Sequence, residues 1–482
     1  MTVSARLGFV PSYRNVWKPW TERMRAESLA VFATVDGMEV VAPQPSPDGA
    51  SLDAEHGYTP HGAVQNLDQA EVVADYFATQ KVDGLIVCPL DFGDERSAAK
   101  VAEKLRLPLL LYATKEPPAA DDPSLARISD SYCGNLSIAS ALVRRGLPFR
   151  FAGLFLPQEA GLRAELDSFV RAVAVVKGLR QARIGQVGVR PPTFETVSYD
   201  EAAMVRKFGQ NVIYANLVDV LDAAKQLPDD EFRVQEVIRA IRSSVRAITV
   251  TDDHLLNAAK VETALADFWE RNRLSAMAVQ CWPTIQRTVR LSLCAVFGRL
   301  TQRHMLTACE ADVLGALSTL VNYQAALGQM LPHFVDWTIQ HRDDPNRLLA
   351  WHCGNAPPCL ARDPQEVALR SRRDMTGELP PTEADPMAGL CQFQLKPGPV
   401  TFCRLAEYDG EWKMLIAKGE IVPSEETLAG TWSWVAVRDH ERLYRTLVEE
   451  GFIHHASMIH GDQTQALSEA CRFLEIRPVV VE

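Results

Sequence analysis

Apolar positions in the first third of the chain come in two textures. Short unbroken apolar runs, "RLGFV", "EVVAPQ", "DGLIVCPL" and "PLLLYAT", alternate with "TERMRAESLAVFATV", "QAEVVADYFATQ" and "ERSAAKVAEKL". In the second set the apolar positions recur every three or four residues, the period of a helix with one buried face. A strand that is apolar throughout is buried on both faces. Strand–helix alternation of this kind therefore predicts a parallel sheet covered by helices on both sides, a doubly wound domain over residues 1–160.

The alternation continues through residues 161–345. "ARIGQVGV" and "AMAVQCWP" read as strands; "YDEAAMVRKFG", "NLVDVLDAAKQL", "VQEVIRAIRSSV", "DDHLLNAAKVETALADFWERN" and "TVRLSLCAVFGRL" read as helices. In "DVLGALSTLVNYQAALGQM" the apolar residues 313, 314, 317, 320, 321 and 327 keep helical spacing, and Asp312 is placed as the N-cap. After residue 345 the texture changes. "GNAPPCLARDPQE" is turn-rich, and "MTGELPPTEADPM" reads as a proline-containing connection. Short alternating runs follow, with "YDGEW" as a hairpin turn, then a helix in "QALSEACRFLEI" and a last strand in "PVVVE". The expected architecture is α/β: two doubly wound Rossmann-like domains, 1–160 and 161–345, followed by a smaller β-rich, barrel-like C-terminal domain, 346–482.

Composition narrows the class. The 482 residues carry 50 Lys and Arg against 61 Asp and Glu, a net charge of −11, with no basic stripe interleaved with aromatics. Such a chain is a poor nucleic-acid binder. No apolar stretch approaches the roughly 20 residues of a membrane helix, and the N-terminus reads as a first strand rather than a signal peptide. The ten cysteines stand singly, mostly inside apolar runs, and no CxxC pair occurs. The expectation is a reduced, cytoplasmic protein.

HExxH, GxSxG, P-loop and GxGxxG patterns are all absent. What remains is a dispersed set of ligand-type residues: Glu310 at a strand end, Asp336 in "PHFVDW", His352 in "LLAWHCGN", and the pair His454–His455 in "GFIHHASMIHGD". Two carboxylates and two imidazoles suit a divalent ion of the Mn²⁺ type. Each residue alone has an ordinary reading as a helix cap, an ion-pair partner or a satisfied buried histidine. If the histidine pair lies in a strand, its two rings point to opposite faces, and at most one of them faces a given site.

Four segments, in order, give the set more weight. "AVQCWPTIQ", "ACEADVLGAL", "HFVDW" and "HHASMIHGD" resemble the sugar-lining, first-carboxylate, second-carboxylate and C-terminal histidine segments of the L-fucose isomerase and L-arabinose isomerase superfamily. The resemblance implies Glu310 and Asp336 as metal-binding and catalytic carboxylates. It implies His455 as the C-terminal ligand and His352 as a further ligand of the arabinose-branch kind. Gln280, Trp282, Arg14 and His454 go to the sugar, with Arg14 reaching a neighbouring subunit's site. Asp336 is fucose-like, whereas the short C-terminal domain departs from L-fucose isomerases proper. Asp312 is read as a cap alone, so that Asp312→Ala costs about 0.5–2 kcal/mol and spares the chemistry.

The expected activity is a metal-dependent aldose–ketose isomerisation of an open-chain sugar through a cis-enediol, with Mn²⁺ or another divalent ion as cofactor. The two carboxylates move the proton between neighbouring carbons, help worth about 10²–10⁴-fold. L-Fucose, D-arabinose and L-arabinose are the reference substrates. The alternative is the sulfosugar sulfoquinovose, whose sulfonate wants arginines such as Arg14 and Arg438. A non-catalytic sugar-binding protein is the alternative from another class. A metal-dependent aldolase fits the ligands but not the domain order. The small-molecule sugar is the expected partner, and the resemblance implies a homo-oligomer, a trimer or hexamer.

Overall fold

The computed structural model describes residues 3–118, 127–370 and 390–482. The connection "MTGELPPTEADPM" lies outside the described residues. The chain divides into two compact units, one holding the residues up to Lys177 together with Arg472–Leu474, the other holding Gly178–Cys471 and Glu475–Glu482.

The first unit is built on a five-stranded sheet in the order Met38–Val41, Ala5–Ser12, Gly84–Pro89, Leu109–Thr114, Arg150–Phe155. Every pairing is parallel. Gly84–Pro89 and Leu109–Thr114 are buried at every residue, as their unbroken apolar sequences require. The helices Leu67–Thr79 and Glu95–Leu105 begin on Asn66 and Asp94, whose side chains accept from the Gln69 and Ser97 amides. Their apolar stripes close the sheet, with Phe77, Val73, Ala98 and Val101 in the core.

The second unit holds two sheets. A four-stranded parallel sheet runs in the order Thr307–Ala308, Ala276–Val279, Ile184–Val187, Val212–Ala215. A ten-stranded mixed sheet contains the strands His333–Gln340, Arg347–His352, Thr431–Ala436, Glu411–Val422, Gly398–Tyr408 and His455–His460. Each of these pairs with the next in that order, and the last returns to the first, so they close into a barrel. Closure removes the sheet edges that an open β-domain would expose. His333–Gln340 thus joins the barrel. Asp409 and Gly410 both have positive φ, +53° and +84°, which lets the two-residue turn in "YDGEW" match the twist of its long hairpin.

One helix differs from its sequence reading. "TVRLSLCAVFGRL" forms two, Thr284–Val289 and Cys294–Gln302. Arg290 turns into the left-handed region at φ +55° and ends the first, as C-terminal residues of helices commonly do. Trp432 and Trp434 lie in the core, clustered with Leu349 and packed by Trp351, Val422 and Leu428.

Candidate active site

The parallel sheet of the second unit ends at Ala308, and the chain then makes a tight step before the helix Val313–Ala325. Glu310 and Ala311 carry this step at φ +61° and +54°, left-handed conformations that non-glycine residues rarely adopt. Strain of this kind persists where its surroundings hold it, commonly at functional sites. Here the hold is visible. The Ala311 amide donates to Val279 O at 3.1 Å, the Asp312 amide to Cys309 O at 3.1 Å, and the Trp282 indole N–H to Glu310 Oε1 at 2.8 Å.

The barrel brings the remaining groups. Asp336 and His455 are directly opposed in neighbouring antiparallel strands, and His352 ends the strand on the other side of Asp336. His455 Nε2 lies 2.7 Å from Glu310 Oε2 and 3.7 Å from Asp336 Oδ1; His352 Nε2 lies 3.9 Å from Asp336 Oδ1. The 2.7 Å approach lacks the alignment of a hydrogen bond. Glu310 Oε2, Asp336 Oδ1, His352 Nε2 and His455 Nε2 are all buried and have no hydrogen-bond partner among the described residues. Buried polar atoms are nearly always satisfied, so four of them linked in a row by approaches of 2.7, 3.7 and 3.9 Å mark a site built for something else.

Behind His455 stands Asp312. Its carboxylate is fully buried and accepts from His455 Nδ1 at 2.8 Å, from the Arg404 guanidinium at 2.5 and 3.1 Å, and from the Gly315 amide at 2.8 Å. Asp312 is the N-cap that its position suggested, but it is more than a cap: it orients an imidazole of the site and neutralises a buried arginine. Burial alone would push its carboxyl up; the Arg404 charge and His455 outweigh that and hold it well below the usual range. For Glu310, too, burial pushes upward and His455 more than offsets it. For His455 the balance is the reverse. Burial favours the neutral ring, yet Asp312 and Glu310 raise its pKa to about 9.

His454 corrects the strand argument. The strand begins at His455, so His454 is not bound by its alternation, and the two rings lie 4.0 Å apart. One ring nitrogen of each, with a Glu310 oxygen, falls within 4.8 Å of the others. Phe194, which sequence reasoning missed, packs edge-on against both Trp282 and His454 at 5.3 Å. Trp282 holds Glu310. The Gln280 amide is bonded at both ends within the chain, its oxygen to the Val189 amide at 3.1 Å and its nitrogen to Thr284 Oγ1 at 3.0 Å. Arg14 belongs to the other unit, where its guanidinium lies 3.7 Å over the Phe92 ring and 3.5 Å from Glu95. Arg438 is exposed.

The one sequence signal for the missed network was Arg404, a charge inside the otherwise apolar "TFCRLA". A long cation in a strand interior needs a buried anion, but nothing local says which.

A largely buried set of two carboxylates and two imidazoles on an α/β scaffold with a closed β-barrel offers the donor types that a divalent metal takes. Profiles of known families name it further: the fucose/sulfoquinovose isomerase N-terminal domain matches residues 48–180, and the L-fucose isomerase C-terminal domain matches residues 350–481. The chain belongs to the fucose/sulfoquinovose isomerase family of aldose–ketose isomerases. Among similar proteins, the sulfoquinovose isomerase of Alkalicoccus urumqiensis is 26% identical over 403 residues, covering 83% of this chain and 86% of that protein. That of Priestia megaterium is 25% identical, covering 87% and 90%, and that of a Clostridium species 24%, covering 89% and 92%. A periplasmic solute-binding protein from Actinobacillus succinogenes with bound D-allose matches 68% of this chain and 92% of its own at 11% identity. Its TM-score of 0.18 carries no argument. Among the described residues, no helix is long and apolar enough to cross a membrane.

Proposed function

We propose that this protein is a divalent-metal-dependent isomerase that interconverts an open-chain aldose and its ketose through a cis-enediol, and that its sugar is a sulfonated hexose of the sulfoquinovose type. The observation that carries the chemistry is the convergence of buried, unpartnered donor atoms from Glu310, Asp336 and His455. Hard carboxylate oxygens and one neutral imidazole are the donor set that Mn²⁺ and similar ions take, so the residues fit the metal. Glu310, Asp336 and His455 would hold it, and a bound ion supplies Lewis-acid polarisation of the sugar carbonyl.

The chain's own residues do the rest. The carboxylates of Glu310 and Asp336 flank the reacting carbons, one taking the proton from the carbon beside the carbonyl and returning it to the former carbonyl carbon, the other relaying the hydroxyl proton to the former carbonyl oxygen. Trp282 and Asp312 keep Glu310 and His455 in register for that exchange. Phe194 and Trp282 supply an apolar wall that limits water at the enediol.

The sulfosugar assignment draws its support from the relatives named sulfoquinovose isomerase. A sulfonate calls for an arginine fork, and Arg14 and Arg438 are the residues put forward for it. A trimeric or hexameric assembly belongs to the same proposal, read by light scattering on the purified protein.

The test is proton exchange. Chelator-stripped protein is incubated in D₂O with sulfoquinovose, L-fucose, D-arabinose and L-arabinose, with and without Mn²⁺, and followed by NMR. Mn²⁺-dependent deuterium uptake at C2, fastest with sulfoquinovose, is the expected result. Faster exchange with an unsulfonated sugar overturns the substrate. No exchange with any sugar, together with thermal stabilisation by one of them, overturns the enzyme reading in favour of a sugar-binding protein.

A further inference from the structure

We propose that His352 is not a ligand of the metal but the hydrogen-bond donor of the centre, presenting its Nε2–H to an oxygen of the sugar. The inference rests on the isomerase reading above and on which nitrogen of each imidazole carries a hydrogen. A neutral imidazole has one N–H and one lone pair, and the partner of one nitrogen decides the state of the other.

For His455 the partner is a carboxylate. Asp312 Oδ2 lies 2.8 Å from Nδ1, and the same carboxylate already accepts from Arg404 and from a backbone amide. Facing a guanidinium, it is an acceptor. His455 Nδ1 therefore keeps its hydrogen, so a cation that displaces the Nε2 proton meets the ring's lone pair on the side of Glu310 and Asp336. A carboxylate behind a ring whose other nitrogen faces a metal is the arrangement that metal-binding histidines use.

His352 has the opposite partner. Its Nδ1 accepts from the backbone amide of Cys353 at 2.9 Å. A backbone amide can only donate, so the lone pair is on Nδ1 and the hydrogen is on Nε2. That Nε2–H is buried, lies 3.9 Å from Asp336 Oδ1 and has no hydrogen-bond partner among the described residues. For Nε2 to coordinate a cation its hydrogen would have to leave and make the ring an imidazolate, or move to Nδ1 and break the Cys353 bond. Trp351 stacks near the ring with an interplanar angle of 7°, and Phe334 packs at 5.8 Å, so the orientation is held from more than one side. The group thus has the polarity to meet a sugar oxygen on which negative charge develops. A preorganised donor of that kind is typically worth about 10²–10³ in kcat.

The test uses the full-length protein loaded with Mn²⁺. Pulsed EPR compares the nitrogen couplings of wild type, His352→Gln and His455→Gln. His455→Gln is expected to lose a coupling and His352→Gln to keep the wild-type pattern. Mn²⁺ affinity of His352→Gln should stay within about threefold of wild type, against the 10–100-fold that even outer-shell partners of a metal cost. His352→Leu should lower kcat by about 10²–10³ with KM little changed, while Gln, whose amide N–H can stand near Nε2, retains more of it. Loss of a nitrogen coupling in His352→Gln overturns the assignment and leaves the isomerase reading standing, as does full activity in His352→Leu. If wild type catalyses no exchange, the isomerase reading falls and the donor role falls with it. The EPR comparison on His352→Gln reads the result even if the leucine variant does not fold.

Discussion

Replacing Asp312 by Asn separates three jobs that one carboxylate does. Asn keeps the shape and can still accept from the Gly315 amide, so the helix cap, worth about 0.5–2 kcal/mol, is largely preserved. What it removes is a negative charge facing Arg404, whose side chain is 3% exposed beside a carboxylate at 0%. Breaking a buried pair by removing one partner typically costs about 3–5 kcal/mol, because the other charge stays buried and uncompensated. Asp312→Ala loses the cap as well, so its expected cost is about 4–7 kcal/mol. The measurement is hydrogen exchange by mass spectrometry on peptides from the helix Val313–Ala325 in the presence of chelator, since local protection reports opening free energy directly. Adding Arg404→Met to Asp312→Asn should restore most of the protection, because a charge-free pair leaves nothing unpaired. Removal of the carboxylate behind His455 should also weaken Mn²⁺ binding by about 10–100-fold. A protection change under about 1 kcal/mol in Asp312→Asn, with unaltered Mn²⁺ affinity, would refute both parts and return Asp312 to a simple cap.

Three further outcomes are expected. Glu310→Gln should abolish sugar exchange and weaken Mn²⁺ binding measured by equilibrium dialysis, while the thermal midpoint of the metal-free protein holds or rises because a buried carboxylate has been neutralised. Trp282→Phe removes a hydrogen bond to a charged group, worth about 1.5–3 kcal/mol; steady-state assays should therefore show kcat/KM lower by about 10–100-fold. His333 is buried, and burial brings its pKa down to about 3. The unfolded ring binds a proton near pH 6.5 and the folded ring does not, so stability falls as pH drops below 6.5 toward 3, by up to about 1.4 kcal/mol per pH unit. In urea melts of the metal-free protein, His333→Asn should show a shallower acid-side loss than wild type over that window; parallel curves would show that the ring contributes nothing there.

Local patterns in the sequence settled the elements. Helical and strand periods depend on neighbours a few residues away, so "LIVCP", "LLLYAT" and the stripe of Val313–Ala325 could be read directly. So could the cap at Asp312 and the turn at Asp409–Gly410, where the backbone demand is met by the residue itself. The ligand-type residues were also legible, because carboxylates and histidines inside apolar runs are costly unless used. What those residues do was decided by the tertiary structure. Asp312 meets Arg404 across 92 positions and His455 across 143, and Trp282 meets Glu310 across 28. Barrel closure, set by strand pairing between distant segments, places Asp336 opposite His455. That a backbone amide stands behind the His352 ring and a carboxylate behind that of His455 exists only once the chain is folded.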